Sequence, residues 1–476
     1  MADSLIYLSV VEVVWVVGLC AWIILERRSP AATLAWVFGL VWLPFVGIAV
    51  YLLIGPRRFT RKRRRYAAAR SRVREASAAS RRSCPERGEC PTEDPRLSQF
   101  MQLVQRVGDA PPLRCRTLEV YTTGDACYAA IEQAVAEARH HVHLEYYIWA
   151  ADRTGTRLRD LLCRKAQSGV KVRLLVDAIG SSGLGRRFLE PLRASGAEVA
   201  WFNPISLARL PAGRINFRTH RKIVVCDGRV GFTGGINVCD DHSAAASGDR
   251  AWRDTHVRIE GSPVVSLQTV FLEDWYFATG GGPTGEVYFP GDEAAASGPW
   301  VQIVTSGPDH DLYGIHKFYF FAMASARERL LVTTPYFVPD EPIYAALVTA
   351  AFRGVRVCLL VPKQGDSRLV AAAARSYYDE LVRAGVSIYE YGPPMLHAKT
   401  LVIDRDIAVV GTANMDNRSF RLNFEIMAAV YDEATTSQLA AQFEEDLHKA
   451  RRYSLRDARK APFWHRMTES TARLLS

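Results

Sequence analysis

The chain has no CxxC pair and no evenly spaced cysteine set. Cys20, Cys84, Cys90, Cys115, Cys127, Cys163, Cys226, Cys239 and Cys358 are odd in number and scattered. A disulfide framework is not expected, and free thiols in a reducing compartment are; only Cys84 and Cys90 lie in a polar stretch where a loose pair would fit. Glycine and proline are not in excess, so fibrous classes are excluded. With 49% hydrophobic and 23% charged residues over 476 positions, so is disorder throughout. A broad basic surface is missing too. The formal net charge is +10, yet residues 57–82 carry twelve basic residues and one acidic one, so the remainder is close to neutral. The basicity is a local device, and nucleic acid is not an expected partner.

Charge is also scarce at the N-terminus. Residues 31–54 contain none, and residues 5–25 contain only Glu12. Each stretch reaches the ~20 residues that cross a bilayer core of about 30 Å. No basic residue precedes the first stretch and a second follows at once, which argues against a cleaved signal peptide. The connection ERRSP is short, so residues 1–56 read as a helical transmembrane hairpin, or a span plus a re-entrant helix. Seven basic residues in 57–65 place the rest of the chain in the cytoplasm of a cell whose membrane holds the hairpin. The run 57–82 also suits anionic lipid head groups, at about 1 kcal/mol per cation near the surface. Residues 57–107 are expected as a basic juxtamembrane segment and linker.

What is present beyond residue 108 is a repeat. GVKVRLLVD (Gly169–Asp177) recurs as GVRVCLLVP (Gly354–Pro362), each after a helix-like stretch and each preceded by a strand-like run, HVHLEYYIW and RLLVTTPYFV. Each copy then carries HxKxxxxD, a Gly-rich turn and Asn. These are His220, Lys222, Asp227, Gly234, Gly235 and Asn237 in the first, and His397, Lys399, Asp404, Gly411, Thr412 and Asn414 in the second, at identical spacing. Alternation around HRKIVVCD and HAKTLVID indicates strands, with His and Lys on one face. The expected fold is α/β: two related domains, 108–290 and 291–476, paired by a pseudo-twofold axis around one shared site.

Two His, two Lys and two Asn in one cleft suit a phosphodiester. Lys, Asn and backbone N–H groups donate to phosphoryl oxygens. One His attacks phosphorus; the other protonates the leaving alkoxide and later deprotonates an incoming hydroxyl. With two lysines supplying charge, no metal or other cofactor is needed. The nucleophile must be neutral and its partner protonated at the start, and Asp254 and Glu425 are the acidic groups placed to orient the imidazoles.

The duplicated HxKxxxxD with G-G/T-x-N resembles the phospholipase D superfamily. With the hairpin, PYFVPD (Pro335–Asp340), NMDNRSF (Asn414–Phe420) and NFE (Asn423–Glu425), the chain is similar to bacterial cardiolipin synthases. Gly235 departs from the superfamily, where Ser is frequent, at the expected cost of one phosphate hydrogen bond. The resemblance implies His220 as nucleophile and His397 as general acid/base. It further implies Lys222, Lys399, Asn237 and Asn414 on the phosphoryl oxygens, Asp227 and Asp404 as the catalytic motifs' last residues, stabilising strand and turn with an electrostatic share, and Asp254 and Glu425 on the imidazoles. It implies phosphatidyl transfer from one phosphatidylglycerol to another, giving cardiolipin and glycerol. A phospholipase D-type hydrolase or another phosphatidyl transferase would use the same residues; a nuclease or a lipid-binding scaffold fits less well. His140, His141, His143 and Glu145 invite a metal reading that the mechanism does not need. Asp177, Asp340 and Asp366 are expected as turn caps, His242 and His256 as local hydrogen-bonders, and Arg418 as a phosphate contact or a structural ion pair. Tyr146, Tyr147, Tyr336 and Phe337 are expected along the cleft, and the C-terminal basic run as a packed helix.

Overall fold

A computed structural model describes residues 2–25, 30–43, 46–47, 50–51, 66–73, 75, 92–108, 110–204, 217–283, 285–290, 297–308, 313–456 and 463–475. The chain divides into a small N-terminal unit and a large unit that starts at Arg61. Cys84, Cys90 and most of the basic run lie outside the described residues; the cysteines within them are free.

The N-terminal unit holds helices α1 (Ala2–Leu25) and α2 (Pro30–Trp42). Ile23, Leu40 and Tyr51 pack together, with Trp36 edge-on to Tyr51. Trp15, Trp22, Phe38 and Trp42 are exposed. Among the described residues no helix is long and apolar enough to cross a membrane; in α1, side chains are described from Val14 onward.

The large unit is built on one fifteen-stranded mixed sheet. The first half supplies β1 (Leu113–Tyr121), β2 (His141–Tyr146), β3 (Lys171–Asp177), β4 (Glu198–Phe202), β5 (Ile223–Cys226), β6 (Val230–Gly234) and β7 (His256–Gly261). The second supplies β8 (Trp300–Ser306), β9 (Arg329–Thr333), β11 (Arg356–Pro362), β12 (Ser387–Tyr391), β13 (Thr400–Ile403), β14 (Ile407–Gly411), β16 (Glu425–Tyr431) and β17 (Ala450–Arg452), with β10 (Phe337–Val338) and β15 (Met415–Asp416) forming a separate pair. From the centre outward the order is β1-β7-β6-β5-β2-β3-β4 on one side and β8-β16-β14-β13-β9-β11-β12-β17 on the other. Each strand of the first half thus meets its counterpart in mirror order. The halves join where β1 pairs antiparallel with β8, Leu113 opposite Val301. β2, β3 and β4 run parallel, as do β9, β11 and β12, and the expected crossover helices are Arg153–Gln167 and Glu341–Phe352. The near-continuous apolar runs of β3 and β11 are those of strands covered on both faces.

Two expectations change. The strands of the motifs begin at Ile223 and Thr400, so His220, Lys222, His397 and Lys399 lie on extended lead-ins to β5 and β13. Residues 57–107 are not simply a linker. Residues 66–73 form a helix with Tyr66, Ala69 and Val73 buried, and Pro95–Gly108 buries Phe100, Met101 and Val104 in the core of the second half. Spacings of three, four and seven residues in the first, and of three and four in the second, make one apolar face in each, which in the first the surrounding arginines obscure. At the C-terminus, Phe463–Leu475 buries Ala472 in that same core, and Arg473 lies over Tyr377, as a packed helix should.

Candidate active site

The two lead-ins meet. Thr219 bridges to Phe424, and Leu396 to Arg253. The His220 N–H donates to the Phe424 carbonyl at 2.8 Å, and the His397 N–H to that of Arg253 at 2.7 Å. Each histidine is therefore fastened, backbone to backbone, to the residue preceding a carboxylate of the other half. Its side chain follows. His220 Nδ1 donates to Glu425 Oε2 at 2.9 Å, and His397 Nδ1 to Asp254 Oδ2 at 2.7 Å. A carboxylate only accepts, so each imidazole holds its proton at Nδ1 and carries its lone pair at Nε2; Lys399 Nζ lies 3.1 Å from that of His397. The two expected orienting acids are in place, and each serves the opposite half.

Both histidines, both lysines, both carboxylates and both asparagines are buried. Lys222 Nζ donates to the His220 carbonyl at 2.7 Å. Lys399 Nζ donates to the His397 carbonyl and lies 3.0 Å from His397 Nδ1. Burial, with Lys399 nearby, brings Lys222 down to about 7. Burial brings Lys399 to about 8 against the pull of Asp254 and Glu425. His220 falls to about 4, because burial outweighs Glu425. His397 falls well below the ordinary histidine range through burial and the charges of Lys399 and Lys222. Burial acts to raise Glu425, but His220, Lys222 and the Thr412 hydroxyl hold it low. Without substrate, both imidazoles are therefore neutral. The expectation that one starts protonated is not met in the empty site: with two ammonium groups close by, an added anion has to supply the missing charge.

The acids are held unequally. Glu425 also accepts from Thr412 Oγ1 at 2.5 Å and from Asn423 Nδ2 at 3.1 Å. Asp254 accepts from the Thr255 N–H at 2.7 Å. Thr412 thus serves a carboxylate, not a phosphate. At Gly235, its counterpart, a Cβ would lie 2.0 Å from Asp254 Oδ1. The absent hydroxyl reflects a close approach that leaves no room for a side chain.

Asn237 Oδ1 accepts from the Ile148 N–H at 3.3 Å, whereas Asn414 Oδ1 is buried with no hydrogen-bond partner among the described residues. Asp227 and Asp404 are not brought to the site. They end β5 and β13, with left-handed backbones, about 20 Å of extended chain from the histidines. Asp227 accepts from the N–H groups of Arg139, His140 and His141, and Asp404 from those of Arg327, Glu328 and Arg329. Both staple a turn to a neighbouring strand, and the motif's last letter is architectural. Asp340 caps Glu341–Phe352, and Asp177 accepts from Ile179, Gly180 and Thr219. Asp366 accepts from the Tyr336 hydroxyl instead of capping.

Of the aromatics, Tyr147 stands edge-on to His220 at 5.0 Å. Tyr146, one residue away on the opposite face, is core, as is Phe337. Trp252, which the motifs do not flag, lies 5.3 Å from His397. His242 and His256 are not hydrogen-bonders: no ring nitrogen of either has a hydrogen-bond partner among the described residues, though His242 Nδ1 lies 3.8 Å from Asp254 Oδ2. His143 stacks on Phe271 and meets Gln268 and Arg173. Among the described residues only His242, Asp254 and His397 converge as ligands would, within 4.8 Å. The Lys399 ammonium against His397 opposes a dication there.

Comparison with known proteins fits this geometry. A family model described as "Cardiolipin synthase, PLD-like domain" matches residues 131–275 and 320–447, and one described as "Phospholipase_D-nuclease N-terminal" matches 13–56. The chain belongs to the cardiolipin synthase family of the phospholipase D superfamily. It is 40% identical to a cardiolipin synthase of Geobacillus thermodenitrificans, over 99% of this chain and 92% of that one. It is 38% identical to cardiolipin synthase 1 of Bacillus anthracis, over 98% and 93%. Among solved structures, a phosphatidylserine synthase of Haemophilus influenzae shares the fold, with a TM-score of 0.56 at 15% identity over 79% of this chain and 98% of that one. The cardiolipin synthase family's paired halves are the two sheet halves described above.

Proposed function

We propose that the chain makes cardiolipin from two molecules of phosphatidylglycerol and releases glycerol. The observation that carries this is the pair of buried imidazoles, each fixed by a carboxylate of the other half and flanked by a buried lysine. The bound phosphodiester is held by Lys222, Lys399 and the asparagine donors. Its negative charge raises the histidine pKa values, and His397 takes up a proton from solvent at Nε2. His220 Nε2 attacks phosphorus; the P–O bond to glycerol breaks, and His397 Nε2 protonates the departing oxygen. The terminal hydroxyl of a second phosphatidylglycerol then gives its proton to His397 and attacks the phosphohistidine. The P–N bond breaks and cardiolipin leaves. No metal or redox cofactor takes part. The choice of His220 over His397 as nucleophile is supported by its richer carboxylate, since Glu425 accepts from Thr412 and Asn423 besides the imidazole.

The apolar hairpin, with Trp15, Trp22, Phe38 and Trp42 exposed, supports insertion of residues 1–56 in the cell membrane, with the large unit on the cytoplasmic side. There the enzyme meets both substrates in the leaflet.

Thin-layer chromatography of purified protein with phosphatidylglycerol vesicles tests the reading. Cardiolipin and glycerol are expected, undiminished by excess EDTA, with added glycerol driving cardiolipin back to phosphatidylglycerol. Phosphatidic acid as the main product, or a requirement for one divalent ion, would overturn it.

A further inference from the structure

Behind the His220–Glu425 pair lies a buried polar cluster that the proposed reaction does not use. Arg221 sits between His220 and Lys222 and faces the other way along the extended chain. Its guanidinium is buried and pairs with Asp274, on helix Val264–Thr279. It also donates to the Tyr66 hydroxyl at 3.1 Å and to the Glu425 carbonyl at 3.3 Å. The Tyr66 hydroxyl donates to Asp274 Oδ1 at 2.7 Å. Next to them Thr219 Oγ1 donates to Glu145. The Tyr66 ring is stacked on Phe424, centroids 5.3 Å apart, and Arg221 lies over the same ring. Phe424 is the residue whose carbonyl holds the His220 N–H. Tyr66 therefore touches the chain neighbour of the nucleophile and the chain neighbour of its carboxylate at once. It comes from the basic N-terminal segment, more than 150 residues before either and ten residues after the tryptophan-rich N-terminal region ends at 56.

We propose that Tyr66 is a positioning residue for the His220–Glu425 pair, supplied by the basic N-terminal segment. The inference rests on the proposed roles of His220 and Glu425. The physical argument is one of spacing. A shift of Arg221 or Phe424 moves His220 against Glu425, and small misplacements near a reacting centre cost rate disproportionately. The Tyr66 hydroxyl supplies two buried hydrogen bonds to a charged pair, and loss of such bonds leaves polar groups unsatisfied.

The test is a double-mutant cycle in the full chain with phosphatidylglycerol in mixed micelles. Tyr66→Phe keeps the ring and the packing and removes only the hydroxyl. It is expected to lower kcat roughly tenfold with KM unchanged. In a Glu425→Gln background, where the carboxylate it positions is gone, the same substitution is expected to lower kcat less than about twofold. Val73→Ala, on the same helix face but away from the cluster, is the control. It should lower the melting temperature at least as much as Tyr66→Phe and leave kcat near wild type. Equal loss from Tyr66→Phe in both backgrounds, or wild-type kcat in the single variant, would overturn the inference. A wild-type rate for Glu425→Gln alone would instead overturn the role of Glu425 on which it rests.

Discussion

The two carboxylates at the site reach opposite imidazoles by similar distances but are themselves supported differently. Glu425 is fixed by Thr412 and Asn423; Asp254 is fixed by one backbone N–H and by the absence of any side chain at Gly235. A methyl group at 235 has to displace Asp254. Gly235→Ala is therefore expected to reduce kcat by about a hundredfold while the protein stays folded, as judged by its melting curve. The lysines set the pH response. In the free protein Lys222 titrates at about 7 and Lys399 at about 8, and His220 at about 4. As pH rises through 7 to 8 the lysines lose the charge that holds a phosphodiester, so kcat/KM should fall there; it should fall again as pH drops towards 4 and His220 is protonated. A bound anion favours the charged lysines, so the alkaline limb of kcat should lie at higher pH than that of kcat/KM. A kcat/KM that climbs steadily from pH 7 to 9 would contradict this.

Among the elements, the motif strands are legible in the sequence because two copies with equal internal spacing leave little room for chance, and period-two alternation carries over to β5 and β13. The exchange of carboxylates between halves is not legible. Spacing within a copy says nothing about which half a side chain faces, and only the bridges Thr219–Phe424 and Arg253–Leu396 decide it. The structural role of Asp227 and Asp404 is legible, because a residue seven positions beyond a histidine in a strand is at the far end of it; the neighbouring strands they hold are not. Helix 66–73 is hidden by composition, since three buried residues among arginines read as a charged tether. This has a consequence for truncation. Removal of residues 1–56 should leave activity on detergent-dispersed substrate nearly intact and reduce it roughly tenfold or more on bilayers, where the proposed membrane insertion would raise the effective substrate concentration. Removal of 1–75 should abolish both, because Tyr66 goes with it. Parallel assays on micelles and vesicles distinguish the cases.

Over the whole molecule, the mirror order of strands and the crossed acids make one site from two incomplete halves. Fragments separated between residues 290 and 297 are expected to be inactive singly and to recover cardiolipin formation when co-expressed, since the β1–β8 junction and the Pro95–Gly108 helix both draw them together. Recovery by either fragment alone would refute the sharing of the site. The crossed pairing also sets a clock on biosynthesis. A chain emerging from the ribosome tends to fold its first half first. That half would hold His220 without Glu425, which follows 205 residues later, and Asp254 without His397. Lipid chemistry is thereby withheld until nearly the full length has been translated, long after the apolar N-terminus has appeared. A product terminated before Glu425 lacks the carboxylate that fixes His220.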